Sequence, residues 1–469
     1  MHDLPIALPA HAARAWDPAA GSTFDLPMPM DRRRGLALGW LGLGLAALAA
    51  SGVFSLLLVA SRTPGVNRLF PIADFFRVTL VVHVDLSVLV WFLAFAASLW
   101  SIAADARAIA LGRAGLAVAA AGAAVMAAAP FLERAVPIMS NYVPVLDGRI
   151  FIAGLILFVT GVAAACARSM FFFVPVGSRI TGSVSLRLGI NASMVAAGMA
   201  LFALAASFAQ VSRALPAATY YELVFWGAGH MLQFAYTIVV MAAWLWLASA
   251  MGARLPISPR VAVVFFAIAL APVYVPAFIY LAYPVASIEH PKLQTWLMRF
   301  AGAMAVPPVA IAVTWATLRL QVDRAAQRVL RASVLSSLTL FVAGGLIGFT
   351  IGGSDVRIPA HYHGCIVGVT LALMGMTYLL LPRFGFAAPG SRIAIAQPWI
   401  YGGGQLLHIT GLVISGGYGV QRKVAGGDQV LRSAPEVIGM GIMGAGGLIA
   451  VVGGLLFLVV VVRAIRGKP

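Results

Sequence analysis

Long apolar runs separated by short polar segments make up almost the whole chain. A membrane-spanning helix needs about 20 predominantly apolar residues, and twelve segments meet that requirement. They lie at roughly 33–60, 71–103, 113–133, 149–174, 186–210, 219–251, 260–286, 293–319, 329–353, 357–383, 397–420 and 436–464. The pattern predicts an all-α membrane protein, with twelve transmembrane helices in one domain over residues 32–469.

The composition excludes a soluble protein. Hydrophobic residues make up 61% of the 469 positions, charged residues make up 10%, and the net charge is +17. This mixture belongs in a bilayer. The basic residues are spread over the loops without an aromatic-interleaved nucleic-acid module, so we expect contact with membrane lipids and no nucleic-acid partner.

The basic residues also predict the orientation, because cytoplasmic loops carry the excess of Lys and Arg. Arg14, the run at 32–34 and the basic stretch at 318–333 all fall on one side, which places both termini in the cytoplasm. Residues 1–31 are rich in Pro and Ala and lack the apolar core of a signal peptide. We therefore expect a disordered cytoplasmic tail.

The histidines favour one side of the membrane. Two of the eight lie in the tail; the others are His83, His230, His290, His361, His363 and His408. By the predicted topology all six lie at or above the middle of the membrane, and His83 is ~18 Å into the second helix at ~1.5 Å per residue. A single intramembrane histidine often only bonds a neighbouring helix, but four at similar depth on three helices favour a cofactor between facing helices.

His361 and His363 are adjacent-but-one in the tenth predicted helix. Positions two apart on an α-helix point roughly 200° apart. These two imidazoles therefore cannot bind one iron, but they can hold two cofactors on opposite sides of the helix.

The cysteines add no covalent cofactor. Cys166 and Cys365 fall on opposite sides of the membrane in the predicted topology, so they cannot form a disulfide. No C-x-x-C-H motif is present, which excludes a covalent c-type haem on this chain.

Four segments carry a family resemblance. "IPAHYHGCIVGVTLALMGMTYLLLPRFG" at 358–385 resembles helix X of subunit I of the haem–copper oxidase superfamily. "LVVHVDLSVLVWFLAF" at 80–95 is similar to helix II, and "FWGAGHMLQFAYT" at 225–237 is similar to helix VI. "GGYGVQRKV" at 416–424 resembles the segment after helix XI. The match covers nearly the whole chain in twelve-helix order.

The resemblance implies two haems, both expected to be b-type. His83 and His363 would be the axial ligands of a six-coordinate, low-spin haem, and His361 would bind a five-coordinate, high-spin haem. The open position of the second haem is where a small gas binds in this superfamily. Arg422 and Lys423 correspond to the basic pair that holds the haem propionates.

The resemblance also implies a non-haem metal on His230, but its other ligands are altered. Family members place a His-His pair at the end of helix VII, whereas this chain has Ala282 and Tyr283 near that position. The candidate companions of His230 are Gln233, Tyr283, Glu289 and His290. Imidazole with carboxylate or phenolate suits iron better than copper. The alternative is that the metal has been lost and that Tyr283 only packs.

Two departures argue against reduction of O2 to water. The oxidase tyrosine would lie four residues after the helix VI histidine, where this chain has Phe234; Tyr236 is six residues on and faces elsewhere. Asp85 is the one carboxylate deep in a predicted helix, so no ionisable relay crosses the inner half of the membrane. Protons would enter from outside, past Glu222, Glu289 or Asp85, as in the non-pumping nitric oxide reductases. Asp85 itself is expected to pair with an arginine or hydroxyl on a neighbouring helix.

These features resemble the nitric oxide reductase branch, which couples two NO to N2O and water with two electrons and two protons. A divergent terminal oxidase and a non-catalytic diheme electron carrier or sensor are the alternatives. The resemblance places the chain in a bacterial inner membrane. Since the chain has no c-type haem and no soluble copper domain, a membrane-anchored cytochrome c or cupredoxin-like subunit is the expected electron donor, and a quinol site is the alternative.

Overall fold

The fold is all-α apart from one small hairpin. The computed structural model describes residues 24–62, 75–175, 177, 179–422 and 431–467. The predicted disorder of the tail falls largely on residues 1–23, which lie outside the described residues. Residues 24–31 precede the first helix, and Phe24 and Leu26 among them are buried.

Twelve helices cover most of the described residues. The first six are α1 Arg32–Arg62, α2 in three parts (Phe75–Val84, Asp85–Val90 and Trp91–Ala103), α3 Ile109–Leu132, α4 Arg149–Phe171, α5 Gly182–Gln210 and α6 Ala217–Ala250. The last six are α7 in three parts (Pro259–Leu270, Ala271–Tyr274 and Val275–Ala282), α8 in two parts (Glu289–Ala301 and Val306–Arg319), α9 Ala325–Gly348, α10 Arg357–Arg383, α11 Arg392–Gly417 and α12 Ala434–Arg466. Strands β1 Val136–Ile138 and β2 Val145–Asp147 pair antiparallel between α3 and α4.

The predicted spans are confirmed as helices. Eleven helices among the described residues are long and apolar enough to cross a membrane. The other predicted span, 397–420, forms α11, whose 26 residues reach ~39 Å at ~1.5 Å per residue. The chain is therefore a multi-pass membrane protein.

Three helices begin at an N-cap residue whose side-chain hydroxyl accepts a hydrogen bond from a backbone N–H of the first turn. Thr181 accepts from Val184, Ser258 from Val261 and Ser391 from Ala394.

Helices α2 and α7 each contain a segment that departs from regular α geometry. Residues 85–90 of α2 form a π-helical stretch, which widens the helix two residues after His83. A 3₁₀ turn in α7 contains Pro272, and Pro276 begins the next segment. Proline lacks the N–H that an α-helix needs, so these two residues account for the change.

The chain divides into two compact units, each with its own core. The first contains residues 1–25, 243–257 and 310–469, and the second contains 26–242 and 258–309. In the second unit α3 and α4 approach through glycines, since a Cβ added at Gly122 would lie 2.6 Å from the carbonyl oxygen of Gly154. Small residues allow such close helix packing in membranes.

The first unit uses the same device at two helix pairs. A Cβ at Gly364 of α10 would lie 2.5 Å from Cα of Gly344 in α9, and a Cβ at Gly404 of α11 would lie 2.6 Å from the backbone nitrogen of Ala450 in α12. The close contact between Gly364 and Gly344 holds α10 against α9. It therefore also positions the backbone that carries His361 and His363.

Candidate functional site

His230 lies on α6 with both ring nitrogens engaged. Its side chain is buried, and Nδ1 lies 2.8 Å from the carbonyl oxygen of Trp226. A carbonyl only accepts, so Nδ1 carries the proton and Nε2 carries the lone pair. The hydroxyl of Tyr142 lies 3.1 Å from Nε2 and must therefore donate to it. The indole of Trp226 packs against both rings. Its ring centroid lies 5.2 Å from that of His230 and 5.5 Å from that of Tyr142.

Tyr142 is a site residue that the sequence reasoning missed. It lies in the turn that joins β1 to β2, and a side chain in place of Gly229 on α6 would overlap its ring. The backbone nitrogen of the preceding Asn141 donates to Glu222 at 3.0 Å, which anchors the turn to α6. Burial and the nearby charge of Glu222 raise the pKa of Tyr142, so the phenol keeps its proton. The one signal in the sequence was the Pro-rich alternation "VPIMSNYVPVLD" between two helices.

Three of the four residues predicted as companions of His230 lie around the start of α8, and the fourth, Gln233, lies on α6. His290 is buried, its Nδ1 donates to the carbonyl oxygen of Tyr283 at 3.2 Å, and its ring lies 4.5 Å from Tyr280. Tyr283 ends α7 and is exposed, as is Glu289, while Gln233 is half-buried on α6. Over the described residues no group of three or more His, Cys, Asp or Glu side chains is placed to hold a metal ion. Tyr142 is the phenol that the structure brings to His230.

His83 on α2 is held by Ser51 of α1. Its Nδ1 lies 2.9 Å from the Ser51 carbonyl oxygen and 2.9 Å from the Ser51 hydroxyl. The carbonyl again requires the proton on Nδ1, so Nε2 carries the lone pair.

His361 and His363 contact different neighbours of α10. Nδ1 of His361 donates to the carbonyl oxygen of Gly344 in α9 at 2.7 Å. The His363 ring instead packs against His408 of α11, with ring centroids 4.9 Å apart. His408 in turn donates from Nδ1 to the carbonyl oxygen of Met443 at 2.9 Å.

These contacts fit iron ligation by imidazole. Metal-bound histidines usually donate their second ring N–H to a carbonyl or carboxylate, which fixes the tautomer and leaves Nε2 for the metal. His83 and His361 both show that arrangement. His230 shows it as well, with the Tyr142 hydroxyl in front of its free nitrogen.

The predicted propionate pair is described in part. Nε of Arg422 donates to the Ser354 hydroxyl at 3.3 Å, and Lys423 lies outside the described residues. Asp355 forms an isolated β-bridge with Gln421 and an ion pair with Arg357 at 2.6 Å. Hydrogen bonds from Arg357 lower the pKa of Asp355, so this carboxylate stays charged beside Arg422.

The expected pairing of Asp85 is wrong. Its carboxyl is buried in the π-helical stretch, and neither oxygen has a hydrogen-bond partner among the described residues. Among the described residues the buried hydroxyl of Tyr236 has no hydrogen-bond partner either, and the centroid of its ring lies 4.8 Å from that of Phe92. Phe234, at the position of the oxidase tyrosine, is packed in an apolar cluster.

Comparisons with known proteins place this arrangement in a family. The family model described as cytochrome C and quinol oxidase polypeptide I matches residues 35–456. An uncharacterized protein of Rickettsia prowazekii (strain Madrid E) is 27% identical over 486 residues, covering 90% of this chain and 94% of the relative. An uncharacterized protein of Aquifex aeolicus (strain VF5) is 25% identical over 357 residues, covering 74% and 85%.

A solved structure has the same fold. The cryo-EM structure of a heme-copper terminal oxidase dimer matches with a TM-score of 0.68 at 16% identity, over 94% of this chain and 85% of that chain. At this identity the likeness concerns the fold alone. With the family match over most of its length, the chain belongs to the cytochrome c and quinol oxidase polypeptide I family, the subunit I of haem–copper oxidoreductases, whose members carry haems and a metal centre and take electrons from donors such as cytochrome c.

Proposed function

We propose that this chain is the catalytic subunit of a non-pumping nitric oxide reductase, which converts two NO, two electrons and two protons into N2O and water. The observation that supports the proposal is the set of side chains around His230. The phenol oxygen of Tyr142 lies 3.1 Å from its Nε2, and among the described residues no group of three or more His, Cys, Asp or Glu side chains is placed to hold a metal ion. Nitrogen with hard oxygen donors favours iron over copper, as in the nitric oxide reductase branch.

The haem ligands follow from the family. We assign His83 and His363 to the low-spin haem and His361 to the high-spin haem, both b-type, with Arg422 and Lys423 at the propionates. The haems supply electron storage and an open iron position for a diatomic gas. The protein's part is to hold each imidazole in one tautomer, which Ser51 does for His83 and Gly344 does for His361.

A non-haem metal would be held by Nε2 of His230 and the phenol oxygen of Tyr142, which lie 3.1 Å apart, once the phenol has lost its proton. A metal there would supply positive charge and a second binding position. Gln233, Tyr283, Glu289 and His290 stay predicted companions. Trp226 covers the imidazole and the phenol and keeps bulk water from both.

Reduction of O2 is the second candidate, and Tyr142 is the observation that favours it. The sequence argument against an oxidase rested on the missing phenol beside the helix VI histidine. Tyr142 brings a phenol to His230 from a different part of the chain, and a phenol can supply the last electron and proton of O2 reduction.

Electrons would come from a partner subunit, a membrane-anchored cytochrome c or cupredoxin-like protein. The test is a purified complex reduced by such a donor and supplied with NO or O2 in separate assays. Formation of one N2O per two NO supports the proposal. Consumption of O2 without N2O formation from NO overturns it in favour of the oxidase, and two irons per chain with neither activity indicates a diheme carrier or sensor.

A further inference from the structure

The first turns of α8 carry two buried polar side chains, His290, which is also a predicted companion of His230, and Gln294, which has no assigned role. His290 is 1% exposed and Gln294 is 0% exposed. Residues four apart lie on the same face of a helix, with Cβ atoms ≈ 5–6 Å apart. Leu297 and Met298, further along α8, pack against the core cluster that includes Met231 of α6. This face of α8 therefore looks into the protein.

Three polar atoms on that face have no hydrogen-bond partner among the described residues. They are Nε2 of His290 and both the oxygen and the nitrogen of the Gln294 amide. Nδ1 of His290 donates to Tyr283, so Nε2 is an acceptor. Leaving such a group unpaired costs about 1–3 kcal/mol each, and native proteins keep few of them.

Water has the donors and the acceptor that these three atoms need. A water molecule can donate to Nε2 of His290 and to the amide oxygen of Gln294, and it can accept from the amide nitrogen. Buried waters typically make two to four such hydrogen bonds. A metal ion would not satisfy the amide N–H groups, so the chemistry of the set favours water.

The position of the two side chains gives the water a route. Glu289, next to His290, is exposed at the surface. On the inner side, Nε1 of Trp226 donates to the carbonyl oxygen of Pro291 at 3.1 Å, and the same indole packs against His230. The first turn of α8 thus lies between the surface at Glu289 and the indole that packs against His230.

We propose that His290 and Gln294 bind a short string of ordered water, which carries protons from the surface at Glu289 to the site at His230. Its proton-delivery role rests on the proposed function, whereas the binding of water does not. The two protons consumed for each N2O enter from the aqueous phase, and an amide that holds no charge passes them only through its bound water. Binding of this water is the alternative to the predicted role of His290 as a companion of His230 on the metal.

The test uses the purified complex with Gln294→Met, which keeps the side-chain length and removes both polar atoms. Thr295→Val is the matched control, because Thr295 lies on the exposed face of the same helix. A high-resolution cryo-EM map of the wild type should show density for water within hydrogen-bond distance of His290 and Gln294. The Thr295→Val variant should show the same density, and the Gln294→Met variant should show none. Absence of this density from the wild type, or a metal ion in its place, overturns the proposal.

The second readout is the rate of proton uptake when the fully reduced complex is reoxidised by whichever of NO or O2 it consumes. We expect Gln294→Met to slow it about tenfold, equivalent to ~1.4 kcal/mol in the barrier, with unchanged haem spectra. Wild-type uptake in Gln294→Met overturns the relay. Because uptake is followed with either gas, failure of the nitric oxide assignment leaves this result readable.

Discussion

Replacing Tyr142 by phenylalanine removes one hydroxyl from the site and leaves the rest in place. The ring keeps its edge contact with Trp226 at 5.5 Å and its contact with His230 at 4.8 Å. What disappears is the hydrogen bond to Nε2 of His230 at 3.1 Å. Since His230 is buried, its nitrogen becomes an acceptor without a donor.

The cost of that change follows from the burial. An unpaired buried polar group costs about 1–3 kcal/mol, which corresponds to roughly 5–150-fold in an equilibrium. The imidazole keeps its bond to the Trp226 carbonyl, so the protein should fold and bind haem normally. We expect turnover to fall by a factor in this range, because the site loses the phenol oxygen that lies against Nε2 of His230.

The matched control is Tyr221→Phe. The Tyr221 hydroxyl donates to Asp147 of β2 at 2.9 Å in an exposed setting, where water can replace the lost bond. NO consumption and N2O formation by the purified complex should therefore change less than about twofold, consistent with the small net worth of an exposed hydrogen bond. If Tyr142→Phe behaves like Tyr221→Phe and the wild type, the reasoning about His230 is refuted. Loss of O2 reduction with intact NO turnover would instead assign the phenol to oxidase chemistry.

Three further predictions concern the haem supports and one loop carboxylate. Ser51→Ala should raise the midpoint potential of the low-spin haem in a potentiometric titration, because His83 loses one of two acceptors at Nδ1; an unchanged potential would contradict the assignment. Gly348→Val should remove the five-coordinate haem signal and keep the six-coordinate one, because a Cβ at 348 would lie 2.8 Å from Nδ1 of His361 and such overpacking costs about 1–3 kcal/mol; equal loss of both signals would count against separate sites. The pKa of Asp355 is lowered by its arginine partner, so its contribution to stability is present above its ordinary value of about 3.9 and is lost as the pH falls through the lowered pKa. The Asp355→Asn variant should therefore have a lower melting temperature than the wild type at neutral pH, and the difference should shrink below about pH 4. A difference in melting temperature that stays constant over that pH range would refute this pH dependence.

The positions of the helices follow from the sequence, because an apolar run of about 20 residues has one stable form in a bilayer. For α6 the predicted range 219–251 agrees within two residues with the observed range Ala217–Ala250. The start of α11 was predicted five residues late, because Ser391 caps the helix before the apolar run begins. The π-helical stretch at 85–90 has no signature in the hydropathy pattern, since it depends on packing around α2.

Some features of the candidate site also follow from the sequence, and others do not. The different directions of His361 and His363 follow from helix geometry, and the two rings contact different helices, α9 at Gly344 and α11 at His408. Tyr142 was missed because two strands of three residues carry too short a pattern to be recognised. The unpaired state of Asp85 depends on which side chains of neighbouring helices reach it, and no pattern along the chain contains that information.

The most direct test of this account is the number of haems in the purified complex, measured per copy of this chain after any haem of the donor subunit has been subtracted. Ligation by His83 and His363 on one iron and by His361 on another predicts two b-type haems per chain. A count of one, or of none, would contradict it.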